Sequence, residues 1–203
     1  MMEIVSSLEV CSPGEFRICE RAGIPMEKIV LSGVYKNPDD IAYMLDRYGN
    51  SGTYTVESLQ HLKILNDTAV RHGIILSVLI RVTSGNQFGM EEDTVLEILK
   101  KAKELPGIEA EGIHYFSGTQ KKNLKRHQKE LTYLDEFLKK AAEEQIDVKC
   151  LEYGSGTAVP YFRDKTAETF EEAGLKGLQD AVKAMQWKGH VTIELGRSLA
   201  AMC

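Results

Sequence analysis

Short, continuous apolar runs alternate along this chain with longer stretches in which apolar residues recur every three or four positions. Residues 8–11, 28–32, 52–56, 75–82, 108–116, 148–153 and 190–195 have the β-branched, uninterrupted apolar character of buried strands. Between them lie helical patterns. In residues 93–105, Val95, Ile98, Leu99, Ala102 and Leu105 fall on one face, with lysines and glutamates opposite. Asn37-Pro38-Asp39-Asp40 reads as a helix start, with a capping side chain, proline at the first helical position and acids in the first turn. Residues 123–143 repeat the pattern with Leu124, Leu131, Leu134 and Leu138. Strand-helix alternation of this kind predicts parallel strands covered by helices.

Counting separates a barrel from an open sheet. An eight-unit barrel takes about 250 residues, or roughly 31 per unit, and seven units in 203 residues match that rate. Polar, chemistry-bearing residues gather at the C-terminal ends of several strands: 9–12, Arg81, 116–120, 154–156 and 194–197. That distribution belongs to a barrel mouth. A doubly wound sheet would carry a glycine-rich phosphate loop after its first strand, and neither GxGxxG nor GxxxxGK[ST] occurs there. The expectation is an α/β chain of one domain over residues 1–203, an incomplete (β/α)8 barrel holding strands two to eight.

Composition narrows the partners. The chain is 43% hydrophobic, with a formal charge of −5 and no long basic block, which speaks against nucleic acid and anionic membranes. Its apolar runs are too short to span a bilayer, and the first residues lack the charge and cleavage pattern of a signal peptide. A cytoplasmic protein is expected. Cys11, Cys19, Cys150 and Cys203 show neither CxxC nor framework spacing, which fits reduced thiols. No metal-ligand spacing is present.

The candidate chemistry centres on Val191-Thr192-Ile193-Glu194-Leu195-Gly196-Arg197-Ser198. A carboxylate at a strand exit suits a protonated ring nitrogen; Gly-Arg suits a phosphate, because glycine admits the backbone closely and arginine offers a planar fork of donors. Together they suggest pyridoxal phosphate, although Glu-x-Gly-Arg at a strand end is more often a structural ion pair. A second stretch, Leu151-Glu152-Tyr153-Gly154-Ser155-Gly156-Thr157, reads as a phosphate loop whose N–H groups face an anion. A phosphate site built from the last two strands is a recurrent barrel arrangement. In residues 112–120, period two sets His114 and Phe116 on one face, with Phe116 nearer the mouth and able to cover a flat ring. Structural readings stand beside these: Arg81 and Glu15 as a barrel-end ion pair, His114 as a satisfied core histidine, Cys11 as inert packing, and Lys121, Lys122, Lys125 and Arg126 as a solvated helix face.

These stretches, in this order, resemble the fold-type III pyridoxal-phosphate decarboxylases, the family that includes diaminopimelate and ornithine decarboxylases. Residues 112–119 are similar to its G-[LV]-x-x-H-[IV]-G-S, residues 154–156 to its glycine triplet, and Glu194-Leu195-Gly196-Arg197 to its Glu-Pro-Gly-Arg. Glu9, Ser12 and Glu15 match an Asp-x-x-Ser-x-x-Glu stretch, and Arg81 with Gln87-Phe88-Gly89 matches an Arg-[VI]…Lys-Phe-Gly stretch. The resemblance spans essentially the whole chain. It implies that Glu194 pairs with the pyridine nitrogen, that Gly154, Ser155, Gly156, Gly196, Arg197 and Thr119 hold the phosphate, and that Glu9 and Arg81 lie beside the ring.

The implied activity is decarboxylation of an amino acid by a cytoplasmic homodimer of lyase type. Phe116 stands where the family has a stacking histidine, which keeps a flat face but loses a hydrogen-bonding group. The family's Schiff-base lysine lies on its first barrel strand, in a Tyr-x-x-Lys-x-Asn context that this chain lacks, as it lacks the C-terminal β-domain; the chain alone is therefore expected to be inactive. Lys149, near the start of its strand rather than at the mouth, and Lys36, in a helix-entry turn, do not substitute. A non-catalytic homologue acting as a regulatory binding protein is the alternative, with Phe116 in its favour. An amino-acid racemase is disfavoured by Glu194, because there the ring nitrogen typically faces an arginine.

Overall fold

The computed structural model of the chain describes residues 5–160 and 172–200; the expectation for Cys203 lies outside them. The strands are parallel and lie in the sheet in chain order. Two compact units, Met1–Ile113 and His114–Cys203, divide the chain.

The first unit runs β1 (Leu8–Val10), α1 (Pro13–Arg21), β2 (Ile29–Leu31), α2 (Pro38–Tyr48), β3 (Thr53–Val56), α3 (Leu59–His72), β4 (Leu76–Val82), α4 (Glu92–Lys101) and most of β5 (Ile108–Phe116). Every residue of β4 except Ser77 is buried, as expected of a parallel strand covered on both faces. Its core includes Ile29, Tyr54, Leu65, Val78, Ile80 and Val95.

Strand exits turn into helices through side-chain caps. Ser12 accepts from the Glu15 N–H, Asn37 from Asp39 and Ser58 from His61, each with an extended backbone at the cap. Helix α4 ends earlier than its apolar pattern predicts: a 3-10 turn takes residues 102–104 and Leu105 is extended. Pro106 is the reason, since proline disfavours the helical conformation in the residue before it.

The second unit holds the end of β5, α5 (Leu124–Glu143), β6 (Cys150–Gly154), α6 (Glu172–Ala184), β7 (His190–Glu194) and the short α7 (Gly196–Ala200). Asn123 caps α5 by accepting from the Lys125 N–H. Leu131, Leu134 and Leu138 bury its apolar face, as the spacing predicts. Lys122, Lys125 and Arg126 are exposed, whereas Lys121 is not: it lies in the turn before α5 with 1% of its surface exposed, contrary to the solvated-face reading. Among the described residues no helix is long and apolar enough to cross a membrane.

The caps give a graded test. Ser58→Ala is expected to destabilise the protein by about 1 kcal/mol in urea denaturation, and Ser58→Gly by only a few tenths. Equal effects of the two would show that the Ser58 hydroxyl does not cap α3.

Candidate cofactor site

In the second unit, β6 and β7 pair residue for residue from Cys150↔His190 to Gly154↔Glu194. This register brings the first glycine of the loop level with the carboxylate at the next strand exit. Only glycine fits at 154: a Cβ there would collide with the Phe116 ring and come within 2.9 Å of Glu194 Oε2. Phe116 and Glu194 thus both close on Gly154. His114, buried on β5, faces Glu194 Oε1 through Nε2 at 2.8 Å. The sequence reading of His114 as a core histidine is right about burial and misses the partner.

The loop after β6 is fastened on every side. The Ser155 hydroxyl is turned inward and donates to the Glu194 carbonyl at 2.7 Å, so Ser155 has only its backbone to offer an anion. Gly156 has φ +55°, and a Cβ there would run into the Gly118 carbonyl oxygen. Ser198 donates its hydroxyl hydrogen to the Leu195 carbonyl at 2.9 Å, which makes the Thr157 hydroxyl the donor in its 2.9 Å bond to Ser198 Oγ. The Gln120 side-chain amide bonds both ways to the Val159 backbone, at 2.8 and 2.9 Å. Thr119 is exposed in this neighbouring turn, and Gly196 and Arg197 are exposed at the start of α7.

The first unit places Glu9 and Arg81. Glu9 is exposed on β1 and accepts a hydrogen bond from Ser32 Oγ. Arg81, on β4, pairs with Glu57 at 2.9 Å, both side chains being buried, and its guanidinium lies 5.2 Å from the Phe88 ring centre. The Arg81–Glu15 ion pair is therefore not what forms. Glu15 instead accepts from the Cys11 N–H at 2.6 Å, one turn away across the α1 cap. Cys11 is exposed rather than packed.

Lys36 is a surprise of the same unit. It follows β2 in the turn into α2, as its position suggests, but it is 6% exposed and curls back to donate to Gly33 O at 2.7 Å. Burial pushes its pKa down to about 8, against the opposing pull of Glu57. His61 stands beside this group: it accepts from the Glu57 N–H through Nδ1 and meets Val34 O through Nε2 at 2.9 Å, which is the pattern of a neutral ring. Burial, with Lys36 nearby, holds its pKa below the ordinary value. No spacing rule flags Lys36 or His61; only the turn of the chain buries them.

The geometry, with a carboxylate level with a glycine loop at two adjacent strand exits, now meets its relatives. The family model described as the pyridoxal binding domain of pyridoxal-dependent decarboxylases matches residues 1–201. The chain belongs to this family.

It is similar to diaminopimelate decarboxylase of Methanocaldococcus jannaschii, 26% identical over 217 residues covering 95% of this chain and 48% of that protein. The diaminopimelate decarboxylase of Zymomonas mobilis is 25% identical over 95% of this chain and 48% of its own length. Among solved structures, one from Aquifex aeolicus has a TM-score of 0.81 at 26% identity, covering 97% of this chain and 48% of that one. The chain spans about half the length of the curated relatives it matches. The fold is the parallel α/β barrel of these decarboxylases, represented by seven strands of an incomplete barrel. Pyridoxal phosphate is the cofactor of the family.

Two expectations follow for the first unit. Arg81→Ala leaves Glu57 buried without its partner and should cost about 3–5 kcal/mol, whereas Arg81→Met combined with Glu57→Leu should recover most of that loss in denaturant melts. The second is a pH slope. Lys36 titrates near 8 when folded and near 10.4 when unfolded, so between these values the unfolded chain holds more protons and stability gains as pH rises. Lys36→Met should remove that gain; an unchanged slope would mean that Lys36 is not held at low pKa.

Proposed function

We propose that the second unit binds pyridoxal phosphate with Glu194 at the pyridine nitrogen and the phosphate against residues 154–156 and Arg197, in a protein that decarboxylates an amino acid. The observation that carries this reading is the Gly154↔Glu194 register with His114 on the carboxylate. The donor set fits the cofactor: the site has a carboxylate for a ring N–H, a guanidinium for a phosphate, and a glycine at the one position where a Cβ would strike both Phe116 and Glu194.

Bound there, the cofactor supplies an electron sink for the pair left on carbon when CO₂ departs. The residues do the rest. Glu194, ionised, accepts the ring N–H and keeps the nitrogen protonated, so that the sink is cationic. His114 donates to Glu194 Oε1 and fixes the carboxylate's orientation, leaving Oε2 on the side of Gly154. Arg197 and the loop backbone hold the phosphate and so set the register of the ring against Glu194. Phe116 is the flat face beside Gly154. Gly196 and Thr119 complete the phosphate set. The diaminopimelate decarboxylases among the relatives support a diamino acid as substrate class; a cytoplasmic homodimer is the further part of the proposal.

Equilibrium titration with pyridoxal phosphate tests the assignment. Arg197→Ala should weaken binding by roughly 1.5–3 kcal/mol, the worth of a charge-assisted hydrogen bond. In a protein that also carries the Schiff-base lysine, Glu194→Gln should lower kcat far more than it lowers cofactor affinity, because the charge matters most as the carbanion develops. Unchanged affinity in the first variant would make Arg197 structural. In a protein that also carries the Schiff-base lysine, cofactor binding without CO₂ release from any of a panel of acidic and basic amino acids would favour the regulatory binding protein.

A further inference from the structure

Behind the glycine loop lies a cluster of ionisable groups that the proposed chemistry does not use. Its centre is Lys121, whose side chain is fully buried. The ammonium donates to Glu130 Oε2 at 2.6 Å and to the Gly154 carbonyl at 3.3 Å, and sits 5.3 Å from the Tyr153 ring centre. The backbone of the same residue donates to Gly156 O at 2.9 Å and accepts from the Ala158 N–H at 3.1 Å. One residue therefore holds the loop before, within and after its bend.

Glu130, on α5, completes the anchor. Its Oε1 accepts from Ser117 at 2.6 Å and from Arg126 at 3.3 Å, and its Oε2 from Tyr153 Oη at 2.6 Å as well as from Lys121. Tyr153 has given its hydroxyl hydrogen to Glu130, so His127 Nδ1–H is the donor in its 2.9 Å bond to Tyr153 Oη. Burial alone would raise the Glu130 pKa, but the hydrogen bonds from Lys121, Ser117 and Tyr153 outweigh it and hold the group below its ordinary value. The carboxylate stays charged and gives the Lys121 ammonium a fixed seat.

A buried ammonium is costly, and the packing of α5 does not require one. What it supplies is a directional hold on the carbonyls of a loop in which two of the three residues, Gly154 and Gly156, have no side chain. We propose that Lys121 is a positioning residue, which with Glu130 fixes the carbonyls of Gly154 and Gly156 so that the loop amides keep the spacing a phosphate needs. The proposal rests on the cofactor reading for its ligand, but the fastening of the loop stands apart from it.

Two measurements on the 203-residue chain separate these. Lys121→Met alone strands the Glu130 charge and can unfold the unit, so it is made beside Lys121→Met/Glu130→Gln, which removes both charges. In the double variant, hydrogen exchange at the amides of residue 121, Ala158 and Val159 should quicken at least tenfold, while amides of α3 in the first unit keep their rates. Pyridoxal phosphate should bind about tenfold more weakly, and pyridoxal, which lacks the phosphate, equally well. Unchanged exchange at the loop overturns the proposal. So does equal loss of both ligands, which would mark a general loss of structure. If the parent protein binds neither ligand, the cofactor reading fails, and the exchange rates still decide the role of Lys121.

Discussion

The parallel pairing of β6 with β7 is the constraint on which the site depends. In parallel strands the residues at the two exits are brought level by register alone, and here the register ends on Gly154 and Glu194. Any side chain at 154 would strike Phe116 and crowd the carboxylate, so the glycine is required by the neighbours of the loop as much as by its bend. His114 on β5 then aims Glu194, and Ser155 closes the arrangement by bonding the Glu194 carbonyl. A carboxylate, a flat ring and a glycine loop are thereby brought together, although they come from segments about 40 residues apart in sequence.

Charge in this protein is kept inside where it organises backbone. Lys121 with Glu130 holds the glycine loop, Arg81 with Glu57 ties the exits of β4 and β3, and Lys36 folds its own turn back on Ser32 and Gly33. Each pair or group is desolvated, which would destabilise the fold if the partner were missing. All three sit at the C-terminal ends of strands, where family resemblance puts the cofactor and where irregular backbone has the least packing to brace it. A charged anchor gives direction that an apolar contact cannot.

Much of the fold was legible because its signals are local. Buried parallel strands write themselves as continuous apolar runs, and all seven runs became strands with ends shifted by no more than two residues. Asn37 announces a helix start through the same short-range bond that it forms in the structure. The glycine loop and Glu194 were legible as motifs. Partners were not. Spacing cannot say that Arg81 takes Glu57, directly after β3, rather than Glu15, in the first turn of α1; only the folded sheet ranks their distances. Nor can it tell that Lys121, one of several basic residues before α5, turns inward while Lys122 and Lys125 stay in water. His114 reads as an ordinary core residue until the fold turns the Glu194 carboxylate toward it.

The central claim is that β6 and β7 together form the seat of the cofactor. A crystal structure of the protein grown with pyridoxal phosphate tests it most directly. The account predicts the phosphate against the backbone of residues 154–156 and the Arg197 guanidinium, with the pyridine nitrogen about 2.7–3.0 Å from a Glu194 carboxylate oxygen. A cofactor bound with its nitrogen away from Glu194, or with its phosphate away from the glycine loop, would contradict it.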